Sequence, residues 1–125
     1  MKKLLLPLLL APSLAFSAVH PVFVEAMSGY QPLKISSEGS TITVVMNEAR
    51  MTNTIYEFAA SNLCSYQWQK SPDYLNGVQE IHLLNKHARQ GYVFSNPKET
   101  CQSILDDDLP TKQANMRILG STRMY

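Results

Sequence analysis

The sequence predicts an α+β domain: a four-stranded, mainly antiparallel sheet in ββαββα order, with two helices on one face linked by one disulfide. Three observations predict it. Apolar residues alternate with polar ones in two places broken by turn residues, a helix-start signature follows each place, and each expected helix carries one of the two cysteines, Cys64 and Cys101.

The first element reads as an export leader. Lys2 and Lys3 supply a positive start, and Leu4 to Leu10, interrupted by Pro7, supply a short apolar run. A membrane-spanning helix needs about 20 apolar residues, and here Pro12 and Ser13 break the run first. Ser13-Leu14-Ala15 and Ala15-Phe16-Ser17 each place small side chains where processing requires them, so cleavage is expected after Ala15 or Ser17. Residues 1–17 are then a signal peptide, 18–119 a single domain and 120–125 a loose tail. No cysteine lies beside the cleavage region to carry a lipid, so no stable membrane insertion is expected after processing. The two lysines suit a bacterial leader, which gives a periplasmic or secreted destination.

The chain has 11 Lys and Arg against 10 Asp and Glu; without Lys2 and Lys3, nine basic residues face ten acidic ones. The basic residues are spread along the sequence, which excludes nucleic acid as an expected partner. The processed length is enough for one core and too short for two.

Val22, Phe23 and Val24 suggest a short strand or a packing arm. Leu33 and Ile35, then Ile42, Val44 and Met46, alternate on either side of Ser37-Glu38-Gly39-Ser40, which predicts a β-hairpin with a β-branched return strand. Thr54-Ile55-Tyr56-Glu57 fits a capping box, and Ile55, Phe58, Ala59, Leu63 and Tyr66 fall on a helical stripe that extends to about Gln69. Ser71-Pro72-Asp73 stops the helix, and Asn76-Gly77 turns the chain. Val78, Ile81, Leu83 and Leu84 then read as a strand, Ala88-Arg89-Gln90-Gly91 as a turn, and Tyr92-Val93-Phe94 as the returning strand. Asn96-Pro97-Lys98-Glu99 opens the second helix, with Asn96 as cap and Pro97 at the first helical position. Asp106-Asp107-Asp108 ends it, because carboxylates oppose the negative end of the helix dipole. Met116-Arg117-Ile118-Leu119 suggests an added edge strand.

In an oxidising compartment the two cysteines are expected to pair. The closed loop of about 38 residues is worth roughly 3 to 4 kcal/mol on the chain-entropy model, a large share of a small domain's stability. The spacing lacks the Cys-x-x-Cys arrangement of a redox pair.

The residues that bear chemistry do not converge on a reaction. His82 and His87 are five apart, so on a strand they point to opposite faces and do not close on one metal. Cleavage after Ser17 would leave Ala18-Val19-His20, a terminus that chelates copper or nickel in a plane, but this short pattern alone assigns no metal. There is no Gly-x-Ser-x-Gly elbow and no glycine-rich phosphate loop; Asp106 to Asp108 lack the spacing of a calcium loop, and Glu57 is accounted for by capping rather than by an acid and base pair with Glu48. No cofactor is expected. Tyr66, Trp68 and Tyr74 mix rigid aromatics with amides, the composition of protein interfaces, and Arg89 and Tyr92 offer anchors at the second hairpin tip. The expectation is an exported, non-enzymatic protein of inhibitor, immunity or envelope-accessory type that binds another exported or envelope protein through these five residues; the alternatives are a small enzyme with a site drawn from His82, His87, Glu48 or Glu57, and a binder of a small ligand or metal.

Overall fold

A computed structural model of the chain describes residues 19–125. The expected leader and its cleavage sites lie outside these residues. The fold is α+β. The elements run α1 (Pro21–Ser28), β1 (Lys34–Glu38), β2 (Thr41–Val45), α2 (Asn53–Gln69), β3 (Glu80–Leu84), β4 (Gly91–Ser95), α3 (Pro97–Asp106), α4 (Thr111–Gly120) and β5 (Thr122–Met124). The ββαββα core is the predicted one, with α1 added before it and α4 and β5 after it. The sheet therefore has five strands rather than four, and the described residues form four helices rather than two.

The strands lie in the order β1-β2-β3-β4-β5. Three pairings are antiparallel, but β2 and β3 are parallel, with Thr41 opposite Glu80 and Val45 opposite Leu84. The sheet is mixed for a simple reason. The 17-residue α2 spans about 25 Å, which carries the chain back to the starting end of β2 before β3 begins. Gly39 and Ser40 make the β1–β2 turn, Gly39 at φ 61°, a conformation glycine adopts without strain.

Alternate strand residues Ile42, Val44, Ile81, Leu83 and Phe94 face the helices and form one buried cluster with residues of all four. On the opposite face Val93 is also fully buried. Its register neighbours are His82 and Arg123, whose side chains meet on Glu80: Nε2 of His82 donates at 2.9 Å and Arg123 at 3.1 Å. The His82 hydrogen bond, then that of Arg123, hold the Glu80 carboxyl below the usual carboxylate range. Gly91 pairs with Leu84, and a Cβ there would sit 2.1 Å from the Leu83 carbonyl oxygen, so the β3–β4 register requires glycine.

Several local expectations change. Residues 21–28 are a helix, not a strand: His20 Nδ1 accepts the Val22 amide as cap, Pro21 opens the helix, and Phe23, Ala26 and Met27 make its buried stripe. The cap of α2 is Thr52 rather than Thr54, its hydroxyl accepting the Ile55 amide at 3.2 Å, which leaves Glu57 free of any capping role. Asn96 starts α3 through a left-handed backbone, φ 48°, and not through its side chain. The expected edge strand at 116–119 is the second half of α4, where Ala114 and Ile118 turn inward and Arg117 reaches back to Asp107 at 2.6 Å. The expected loose tail supplies β5, whose pairing with β4 no local alternation signals.

Cys64 of α2 and Cys101 of α3 are disulfide-bonded, with Cα atoms 5.1 Å apart and both side chains buried. A buried disulfide fits a non-cytoplasmic protein. No helix among the described residues is long and apolar enough to cross a membrane. Replacing both cysteines by alanine is expected to remove roughly 3 to 4 kcal/mol and to lower Tm by about 12 °C or more in a thermal melt followed by circular dichroism. A Tm within about 3 °C of the native value would contradict the bridge's structural role.

Candidate functional site

The richest surface lies where β2 and β3 end. Lys34, Val45, Leu84 and Gly91 stand in register across four strands, and the Tyr125 amide extends the row by donating to the Gly91 carbonyl at 3.0 Å. Beyond this row, segments 46–52 and 85–90 zip together. Met46 N–H donates to the Leu84 carbonyl and Lys86 N–H to the Glu48 carbonyl, each at 2.8 Å.

Two amide side chains complete the brace. Asn85 is buried; its Nδ2 donates to the Ala49 carbonyl at 3.0 Å, and its Oδ1 accepts the amides of Arg89 and Gln90. Gln90 grips the Met51 backbone from both sides, accepting its amide at 2.7 Å and donating to its carbonyl at 2.8 Å. Met46 and Met51 turn into the core, while residues 47–50 and 86–89 remain exposed. Two loops that local sequence leaves unrelated are thus one rigid platform, with Arg50, Lys86, His87 and Arg89 on its outside and Glu48 among them. Ala88 sits at φ 57°, the left-handed region that alanine seldom adopts, with its amide bonded to the Asn85 carbonyl.

The platform leads directly into α2. There Tyr92 donates to Asn53 Oδ1 at 2.6 Å and its ring lies 4.9 Å from that of Tyr56. Thr122 Oγ1 gives its proton to the Ile118 carbonyl and so accepts from the Tyr56 hydroxyl at 2.5 Å. Burial pushes the Tyr56 pKa up to about 12. The pairs Tyr56–Thr122 and Ser61–Asn115 show that α2 and α4 run antiparallel, which places Leu119 level with Phe58. Between the helices is a groove of about 270 Å³ lined by Thr54, Glu57, Phe58, Ser61, Thr111 and Asn115. Phe58, in its lining, is 65% exposed; Leu119 of α4 is 41% exposed and Met124 of β5, paired with Tyr92, 71%.

The five residues singled out from the sequence do not form one surface. Tyr74 is only 3% exposed and donates to the Leu63 carbonyl; burial raises the pKa of its hydroxyl. Trp68 is half-buried, its indole N–H donating to the Cys101 carbonyl at 2.7 Å, so it braces the disulfide-linked helices. Tyr66 lines a separate cleft of about 580 Å³ between α1 and α2, where Lys70 and Glu25 pair at 2.6 Å. Arg89 and Tyr92 do belong to the loop end, Arg89 outside and Tyr92 beneath. His82 lies on the open sheet face and His87 on the platform, well apart, as their strand and turn positions dictate. Sequence reading missed Phe58, which shares the spacing of the core stripe, and Arg50 and Lys86, which come together only through long-range backbone bonds. Compared with protein-family models, with curated proteins and with solved structures, the chain matches none.

Asn85→Ala would strip three backbone groups of their partners and is expected to cost roughly 2 to 3 kcal/mol in urea unfolding, with faster hydrogen exchange at Arg89 and Gln90. A loss under about 0.5 kcal/mol, the range of an ordinary surface substitution, would show that Asn85 does not hold the platform.

Proposed function

We propose that this is an exported, periplasmic or secreted, non-enzymatic protein that binds another exported or envelope protein, of inhibitor, immunity or accessory type, through its loop end. The observation that carries this reading is the exposed apolar side chains Phe58 of α2, Leu119 of α4 and Met124 of β5, on elements that the Tyr56–Thr122 and Tyr92–Asn53 bonds tie to the start of α2 beside the charged loops. An apolar centre with a polar rim is the anatomy of a protein interface, and a large aromatic at its middle is the usual energetic anchor. The polar side chains beneath favour the same reading: Asn85, Gln90, Tyr56 and Tyr92 are engaged with their neighbours, so they stiffen a surface rather than await a reacting group. A preorganised surface loses less conformational entropy on association. Export rests on the leader, and the buried disulfide supports it.

A photo-crosslinking side chain at position 124, expressed in the native compartment, is expected to give a discrete protein adduct that Phe58→Ser weakens at least about tenfold, roughly 1.4 kcal/mol. The same crosslinker at Glu38, at the opposite end of the sheet, should give none. Phe58 is exposed, so Phe58→Ser should change stability by no more than about 0.5 kcal/mol. Equal adducts from both positions, or an adduct indifferent to Phe58, would overturn the proposal.

A further inference from the structure

We infer that the partner's contact face is acidic, a cluster of protein carboxylates that meets Arg50, Lys86, Arg89 and Lys34; this rests on the reading above that the loop end binds a protein. The inference comes from where the charges fall. Of the nine lysines and arginines in the described residues, Lys70, Lys98, Arg117 and Arg123 are ion-paired with Glu25, Asp73, Asp107 and Glu80. Four of the remaining five are Lys34, Arg50, Lys86 and Arg89, and all four belong to the loop end. The register puts Lys34 in the last row of the sheet. Arg50 lies between Ala49, bonded to Asn85, and Met51, bonded to Gln90, which brings it alongside the turn that carries Lys86 and Arg89. Glu48 is the acidic side chain among them, whereas Glu38 and Glu80 stand in the rows at the opposite end of the sheet.

Physiological salt screens charge over about 8 Å, so an approaching surface responds to this local cluster and not to the balance of the whole chain. That balance is slightly acidic once Lys2 and Lys3 are set aside. Arginine's planar fork fits a carboxylate bidentately, and the zipped backbone holds both arginines' loops in place before the partner arrives. An anionic lipid surface fits less well. Four cations near such a surface give an association of only about millimolar strength, and the exposed stretches 47–50 and 86–89 offer alanines where insertion would require large apolar side chains. Carboxylates on a protein face add directed hydrogen bonds and bring apolar surface to Phe58 and Met124.

The test uses poly-L-glutamate and phosphatidylglycerol vesicles as probes, because neither depends on knowing the partner. The purified protein, despite its slightly acidic balance, is expected to bind immobilised poly-L-glutamate at low ionic strength and to lose about tenfold or more in affinity at about 0.15 M salt. Arg50→Glu/Lys86→Glu/Arg89→Glu should abolish binding, and the neutral Lys86→Gln/Arg89→Gln, which asks less of the fold, should weaken it at least about threefold, roughly 0.65 kcal/mol. Lys70→Glu/Lys98→Glu/Lys112→Glu changes the net charge equally and should retain most of it. Equal loss in the two triple variants, or retention by the vesicles but not by poly-L-glutamate, would overturn the inference. Phe58→Ser should leave poly-L-glutamate binding unchanged while reducing the crosslinked adduct, so failure of the charge assignment is distinguishable from failure of the binding surface.

Discussion

The link between Cys64 and Cys101 is the constraint on which the remaining architecture depends. It fastens α2 to α3 inside the core, and α2 is the helix against which α1, α3 and α4 all pack. Trp68 adds an indole bond to the Cys101 carbonyl, and Gln67 donates to the Lys98 carbonyl on the same side. A domain of this size buries a limited apolar area, so a covalent tie that narrows the unfolded ensemble contributes a large share of its net stability. The Gln67 side-chain oxygen Oε1 has no hydrogen-bond partner among the described residues, a local cost that the brace offsets.

Fixing α2 has a consequence at its other end. The helix begins at the loop platform, where Thr52 caps it, Asn53 receives the Tyr92 hydroxyl and Tyr56 reaches β5 through Thr122. Long-range bonds therefore converge on the first turn of α2 from the β3–β4 hairpin, from β4 and from β5. The covalent tie at one end and the polar brace at the other hold exposed Phe58 on a helix that begins at the charged loops. Rigidity of this kind suits recognition, because it reduces the ordering that association would otherwise require.

Much of the architecture was legible because its signals are local. The first hairpin shows alternation and a glycine turn, α3 opens on Asn96-Pro97, and one cysteine on each main helix made the disulfide legible too. What escaped depends on distant partners. Nothing near Thr122-Arg123-Met124 announces a strand, because its pairing is set by β4, and the parallel alignment of β2 and β3 follows from how far α2 carries the chain. The α1 helix did have a local signal, Pro21 followed by Phe23, Ala26 and Met27, but Val22 and Val24 suggest a strand. At the loop end, Arg89 and Tyr92 were legible as hairpin-tip residues. Arg50 and Lys86 were not, because their proximity follows from the bonds of Glu48, Ala49 and Met51 across the two loops. The spacing of Phe58 from Ile55 and Ala59 matches the buried stripe, but the packing of α1 and α4 on either side of α2 leaves it outside.

The state of the two thiols in the cell decides whether the brace exists. Rapid acid quenching of the native compartment, alkylation under denaturing conditions and intact mass analysis should show a polypeptide that has lost its first 15 or 17 residues and takes up no alkyl group until it is reduced. A full-length chain that is alkylated at both Cys64 and Cys101 without reduction would contradict the export, the covalent brace and the rigid binding end together.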